Sequence, residues 1–125
     1  MKKNEQIWQI LKNHLPPEYE DFVLTKFESC FDYSPMNCWN SVIADLIKIM
    51  KSLERWNDGA NYQVQQVKTK FGKLCFYVSS SDRYLEGAIA MAVLQCDKIC
   101  PYCNSYNEGR IKSGRFVKKC EKCNG

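Results

Sequence analysis

The chain has 125 residues, 45% of them apolar and 26% charged, with a formal net charge of +4. That is one domain's worth of sequence, able to bury a core without a disulfide or metal staple, and its balance excludes wholesale disorder. No run approaches the roughly 18 apolar residues of a membrane-spanning helix, and polar Asn4, Glu5, Gln6 and Gln9 follow Met1-Lys2-Lys3, so no export leader is expected.

The charge is unevenly spread. Residues 1–60 hold seven Lys/Arg against nine Asp/Glu, and residues 61–125 hold eleven against five. A basic end of this kind serves either as a solvated surface or as a nucleic-acid contact. The expected compartment is the cytoplasm, where eight cysteines point to metal binding or burial in place of disulfides. His14 is the single histidine and sits near a helix end, where a solvated or capping role is expected.

The elements follow in order. Ile7, Trp8, Leu11 and Leu15 have helical spacing over 4–15, and Pro16-Pro17 stops the run. Pro17 can open a second helix, with Glu18, Glu20 and Asp21 in its first turn. Tyr19, Phe22, Val23, Phe27, Cys30 and Phe31 form its stripe, with Lys26 as the polar intruder. Residues 32–35 read as a loop. The longest helix is expected over about 38–56, N-capped by Asn37. Its stripe is Trp39, Val42, Ile43, Leu46, Ile47, Met50 and Leu53, and its solvent side runs from Asn40 and Ser41 to Glu54.

The period then changes to two. Tyr62, Val64, Val67, Thr69 and Phe71 alternate, with a phase slip at Gln65-Gln66 that predicts a bulge. Phe71-Gly72-Lys73 turns the chain into Leu74, Phe76 and Val78, completing a β-hairpin. Asp82 and the serines before it cap a last helix to about Lys98. The expected fold class is therefore α+β. Residues 1–99 form a helical part packed with a β-hairpin and a further helix, and residues 100–125 form a zinc ribbon.

The ribbon rests on Cys100-Pro101-Tyr102-Cys103 and Cys120-Glu121-Lys122-Cys123, with sixteen residues between the pairs. Two residues between cysteines let a tight turn aim both sulfurs at one ion. Two such turns give the closed tetrahedral four-thiolate set of one structural Zn2+. Between the pairs, 110–112 and 115–118 are expected to form a strand pair. The tail thus resembles a zinc ribbon. Cys-Pro-Tyr-Cys also resembles a glutaredoxin active site, but the 22 residues after Cys103 are too few for that fold. Of the other cysteines, Cys30 and Cys96 fall on apolar stripes and are expected in the core; Cys96 is the one spare candidate ligand.

Residues 65–78 read Gln-Gln-Val-Lys-Thr-Lys-Phe-Gly-Lys-Leu-Cys-Phe-Tyr-Val. This resembles a small family of uncharacterised phage and prophage proteins that carry Q-(I/V)-K-x-K-F-G-x-L-x-F-Y, then an acidic residue, a helix and a CxxC ribbon. The resemblance covers 61–125 and differs at Cys75, where arginine is usual. It implies a viral or mobile-element setting in a bacterial cytoplasm. It implies no named activity, but small proteins of that kind often bind and block a host machine, so the expected partner is a host protein or ribonucleoprotein, such as an RNA-guided (CRISPR-type) defence complex, with this chain as its inhibitor. From the residues themselves, Phe71, Leu74 and Phe76 are expected to pack the hairpin on helices. Lys68, Lys70 and Lys73, with Tyr77, are either a solvated face or a binding face.

No catalytic inventory is evident: no Ser/His/Asp set, no phosphate loop, no open zinc position. The expectation is a non-enzymatic binding protein with no small-molecule substrate. The alternative is a nucleic-acid-binding regulatory protein. It would contact RNA or DNA through Tyr102, Arg110, Lys112, Arg115, Phe116, Lys118 and Lys119 of the ribbon, with Lys68, Lys70 and Lys73 as further contacts.

Overall fold

The structure is a computed structural model that describes residues 2–57 and 59–99, and the backbone of 111–112 and 115–116. It is α+β. Helices α1 (Lys3–Leu11), α2 (Glu20–Lys26), α3 (Asn40–Trp56) and α4 (Arg83–Asp97) accompany a three-stranded sheet of β1 (Asp32–Ser34), β2 (Gln63–Lys70) and β3 (Lys73–Ser79). A separate antiparallel pair, β4 (Ile111–Lys112) and β5 (Arg115–Phe116), sets Ile111 opposite Phe116 and Lys112 opposite Arg115. Among the described residues no helix is long and apolar enough to cross a membrane.

Each helix forms where its apolar spacing gives it something to bury. Ile7, Trp8 and Leu11 are the inward face of α1. That helix ends at Leu11, short of the expected Leu15, although Leu15 is still buried. Pro17 opens a short 3-10 turn that leads into α2, as its fixed φ favours. α2 ends at Lys26, earlier than its stripe suggested. Phe27 and Cys30 stay buried beyond it, while Phe31 turns out to solvent.

The chain then does something the residue types hide. Asp32–Ser34, expected as a loop, is a strand parallel to β2, with Tyr33 opposite Val67. Asp and Ser are poor strand formers, so this strand is made by its partner. Gln66 Nε2 donates to Asp32 at 3.1 Å, and Phe31 N donates to the bulged Gln65 carbonyl at 3.0 Å. Asn37 does not cap α3 with its side chain; a 3-10 turn over Asn37–Trp39 leads into the helix. Asn40, expected on the solvent side, is buried. It accepts a 2.6 Å hydrogen bond from Tyr33 Oη and donates to the Asn37 carbonyl at 3.1 Å.

The hairpin carries the expected bulge, between Val64 and Gln66. Its two-residue turn has φ of 53° at Phe71 and 77° at Gly72. Two positive values identify a type I′ turn, whose twist matches that of the strands. Residues directly opposite share a face of an antiparallel pair. Val64/Val78, Val67/Phe76 and Thr69/Leu74 make one face, and Gln66/Tyr77, Lys68/Cys75 and Lys70/Lys73 the other. The first face joins the helices in one core that also holds Trp39, Ile43, Ile47, Met50, Leu85 and Cys96. The result is two layers, helices over one side of the sheet.

Lys26 is part of that core. Its Nζ lies 2.6 Å from Glu54 of α3 and 2.8 Å from the Asn61 side-chain oxygen. The same Glu54 carboxylate accepts the Tyr62 backbone N–H at 3.0 Å. Three segments are thereby tied together around one buried charge pair.

Candidate functional site

Two exposed surfaces stand out, one on each layer. The first lies along α3 and α4. The sequence from Gly87 to Cys96 holds ten residues without a charge. Leu85, Ala92 and Cys96 face inward, while Gly87, Ala90, Met91 and Leu94 face solvent. A helix that is apolar on all sides is normally one that is covered. Beside it, Val42, Leu46 and Ile49 of α3 and Ala88, Met91 and Ala92 of α4 line a groove. Toward the C-terminal end of α3 a second, separate depression is lined by Leu53, Trp56, Asn57 and Tyr84. Trp56 is 86% exposed, and Ile49, Tyr84, Met91 and Leu94 are also exposed. Single exposed apolar residues are ordinary; a set along two neighbouring helices is not.

The groove's rim is close to neutral. Asp45 lies on it and pairs with Lys48 at 3.8 Å. The depression near Trp56 is braced from within. Asp82 caps α4 by accepting the Leu85 N–H at 2.9 Å, and its second oxygen accepts the Tyr62 hydroxyl at 2.5 Å. Asn57, the residue after Trp56, also donates to Asp82 at 3.4 Å. The Tyr62 hydrogen bond, and then the Leu85 N–H, hold the Asp82 carboxyl below the usual range. Burial, and then the Asp82 hydrogen bond, push the Tyr62 phenol up to about 12.

The second surface is the face of the sheet that no described helix covers. Lys68, Lys70 and Lys73 lie on it together, with Cys75 and Tyr77 beside them. Phe71, at the hairpin tip, is not packed on the helices as expected: it is 86% exposed, with Lys70 Nζ 5.8 Å from its ring centroid. Its strand alternation broke at the turn, and the left-handed backbone there points it outward.

Cys30 and Cys96 are buried as expected, and burial raises both thiols above their ordinary range. Neither is thereby a ready nucleophile or thiolate ligand. Among the described residues, Cys30, Cys38, Cys75 and Cys96 form no disulfide. His14 is exposed. Cys100, Cys103, Cys120 and Cys123, with Tyr102, Arg110, Lys118 and Lys119, lie outside the described residues. Lys112, Arg115 and Phe116 are described as strand backbone alone.

Sequence reasoning missed Phe71 as an exposed side chain, and missed the groove. Trp56 and Ile49 fall off the core stripe of α3, and α4 has more apolar positions than one inward face needs. Those surplus positions were the available signal. Comparison of the chain with protein-family models, curated proteins and solved structures yields no match.

Proposed function

We infer that this chain is a non-enzymatic binding protein that docks on a host protein through the α3–α4 groove. The observation that carries this reading is the uncharged, exposed side of α4 lying next to the exposed Trp56. An uncharged floor with a near-neutral rim fits an apolar ridge or helix on the partner, laid in the groove with Trp56 as an anchor. The phage-like motif of residues 65–78 adds the setting: a mobile-element protein in a bacterial cytoplasm, acting stoichiometrically on a host protein or ribonucleoprotein of a defence system.

Trp56 and Met91 are exposed, so Trp56→Ala and Met91→Glu should leave helicity and Tm unchanged. Each should weaken the purified host partner by about 30-fold, the loss of roughly 2 kcal/mol expected of a central anchor. The partner is to be identified by mass spectrometry from a bacterial lysate and its binding rebuilt from pure components. Equal binding by wild type and both variants would reject the groove. A wild-type dimer that both variants abolish would assign the groove to a second copy instead.

The ribbon has a separate structural role in this reading. Cys100, Cys103, Cys120 and Cys123 supply the soft sulfur donors that suit one structural Zn2+, with no position left for chemistry. The core of the described residues is drawn from 7–96. Metal analysis should therefore find about one zinc per chain, and chelation should loosen the tail while the helical circular dichroism largely survives. Cys100→Ser should behave like chelation. Collapse of the helices on zinc removal would show that the two parts are one folding unit.

A further inference from the structure

We propose that the face of the β1–β2–β3 sheet left open by the described helices binds single-stranded nucleic acid, independently of the α3–α4 groove. Lys68, Lys70 and Lys73 would hold the phosphates, and Phe71 and Tyr77 would stack on unpaired bases. Lys70 and Lys73 are cross-strand partners, and Lys68 lies one same-face position further along β2. Three cations are thus gathered at the hairpin end of this face, with Asp32 close enough to Lys68 to feel its charge. Tyr77 is exposed on the same face, opposite Gln66. Cys75 lies beside it on the same face. Among the described residues the carboxylate on this face is Asp32, one strand over from Tyr77 across Gln66, where Gln66 and Ser34 hold it at 3.1 and 3.0 Å and Lys68 helps keep it ionised.

Phe71 adds a second, independent argument. Its φ of 53° places a bulky aromatic in the left-handed region, at a turn position that favours Asn or Gly. Among the described residues its ring contact is the Lys70 Nζ at 5.8 Å, and it remains 86% exposed. Strain kept without a packing gain is characteristic of binding sites. A lysine-flanked ring at the tip of a two-stranded ribbon has the chemistry of a stacking platform, since every base offers a π-face. Duplex DNA or RNA offers the charge without free base faces, so single strands are the fitting occupant.

The test is fluorescence anisotropy of the full chain, zinc-loaded, with labelled oligo-dT and oligo-U of about 15 nucleotides, a site size within the usual range for single-strand readers. Matched duplexes serve as controls. Three phosphate contacts give a slope of about −2 in log K against log salt, so these lysines alone imply a loss of roughly 20-fold between about 50 and 200 mM salt. Lys68→Gln/Lys70→Gln/Lys73→Gln should lower the wild-type slope by about 2 whatever the ribbon contributes. Phe71→Asn suits the turn better, so its Tm should equal or exceed wild type while single-strand affinity falls about tenfold, in line with a stacking term of 1–3 kcal/mol. Bound oligonucleotide should slow alkylation of Cys75 in peptide-resolved labelling. Trp56→Ala should bind single strands as wild type does, which separates this surface from the groove. The proposal is overturned by an unchanged slope in the triple lysine variant, or by Phe71→Asn binding as tightly as wild type. Equal affinity for duplex, or for polyglutamate, would make the face a general polyanion surface and overturn it too.

Discussion

Lys26→Met should lower folding stability by about 3–5 kcal/mol, measured by urea denaturation near neutral pH. The side chain is nearly inaccessible, with Glu54 at 2.6 Å and Asn61 at 2.8 Å. Replacing it by an apolar chain of similar length keeps the volume but leaves the Glu54 carboxylate in low-dielectric surroundings with one backbone donor, Tyr62 N–H. The cost is that of a stranded charge, not of a lost attraction. Lys26→Met/Glu54→Gln should therefore recover most of the loss, because Gln keeps an acceptor for Tyr62 N–H and carries no charge. A loss below about 1 kcal/mol for the single variant would place the pair among solvent-screened surface bridges.

Tyr62→Phe should cost about 1.5–3 kcal/mol, the range for a hydrogen bond to an ionised acceptor. The ring is fully buried, and its hydroxyl reaches Asp82 at 2.5 Å. This bond also sets how stability changes with pH. The phenol is raised from its ordinary value near 10 to about 12. A raised group stabilises fully below its unfolded value, and that contribution is lost as pH climbs from about 10 through 12. The Asp82 carboxyl is lowered, chiefly by the same bond. Its contribution is present above the ordinary carboxylate value of roughly 4 and is lost as pH falls through its folded value. Tyr62→Phe should remove the alkaline loss and reduce the acid one. Asp82→Ala should remove the acid contribution altogether and also uncap α4. Stability measured by denaturant melts from about pH 3 to 11 reads both limbs; unchanged curves in Tyr62→Phe would show that the bond carries no linkage.

Much of this architecture is legible in the residues. The stripes of α1, α3 and α4 and the alternation and bulge of the hairpin all follow from local period, because each element buries a face its own spacing defines. What is not legible depends on a distant partner. Asp32-Tyr33-Ser34 has no local reason to extend and becomes a strand because β2 offers it donors and acceptors. Asn40 has the look of a surface residue until Tyr33 reaches it. Lys26 breaks a stripe in sequence, and the structure supplies Glu54 from a helix that begins fourteen residues later. For the candidate surfaces the division is similar. The three hairpin lysines share a face by simple alternation. The groove needs two helices side by side, and neither contains it alone.

The parallel pairing of β1 with β2 also constrains the order in which the sheet can assemble. A two-residue turn joins β2 to β3, whereas residues 35–62, with α3 among them, separate β1 from β2. Closing the longer connection costs roughly 2 kcal/mol more chain entropy, at about 0.6 per doubling of length. The hairpin can zip on its own timescale, but β1 has nothing to join until α3 has docked. This three-residue edge is accordingly the last piece to arrive and the first to fray, so the amides of 32–34 should trade their protons for deuterium well before those of Val67 and Phe76.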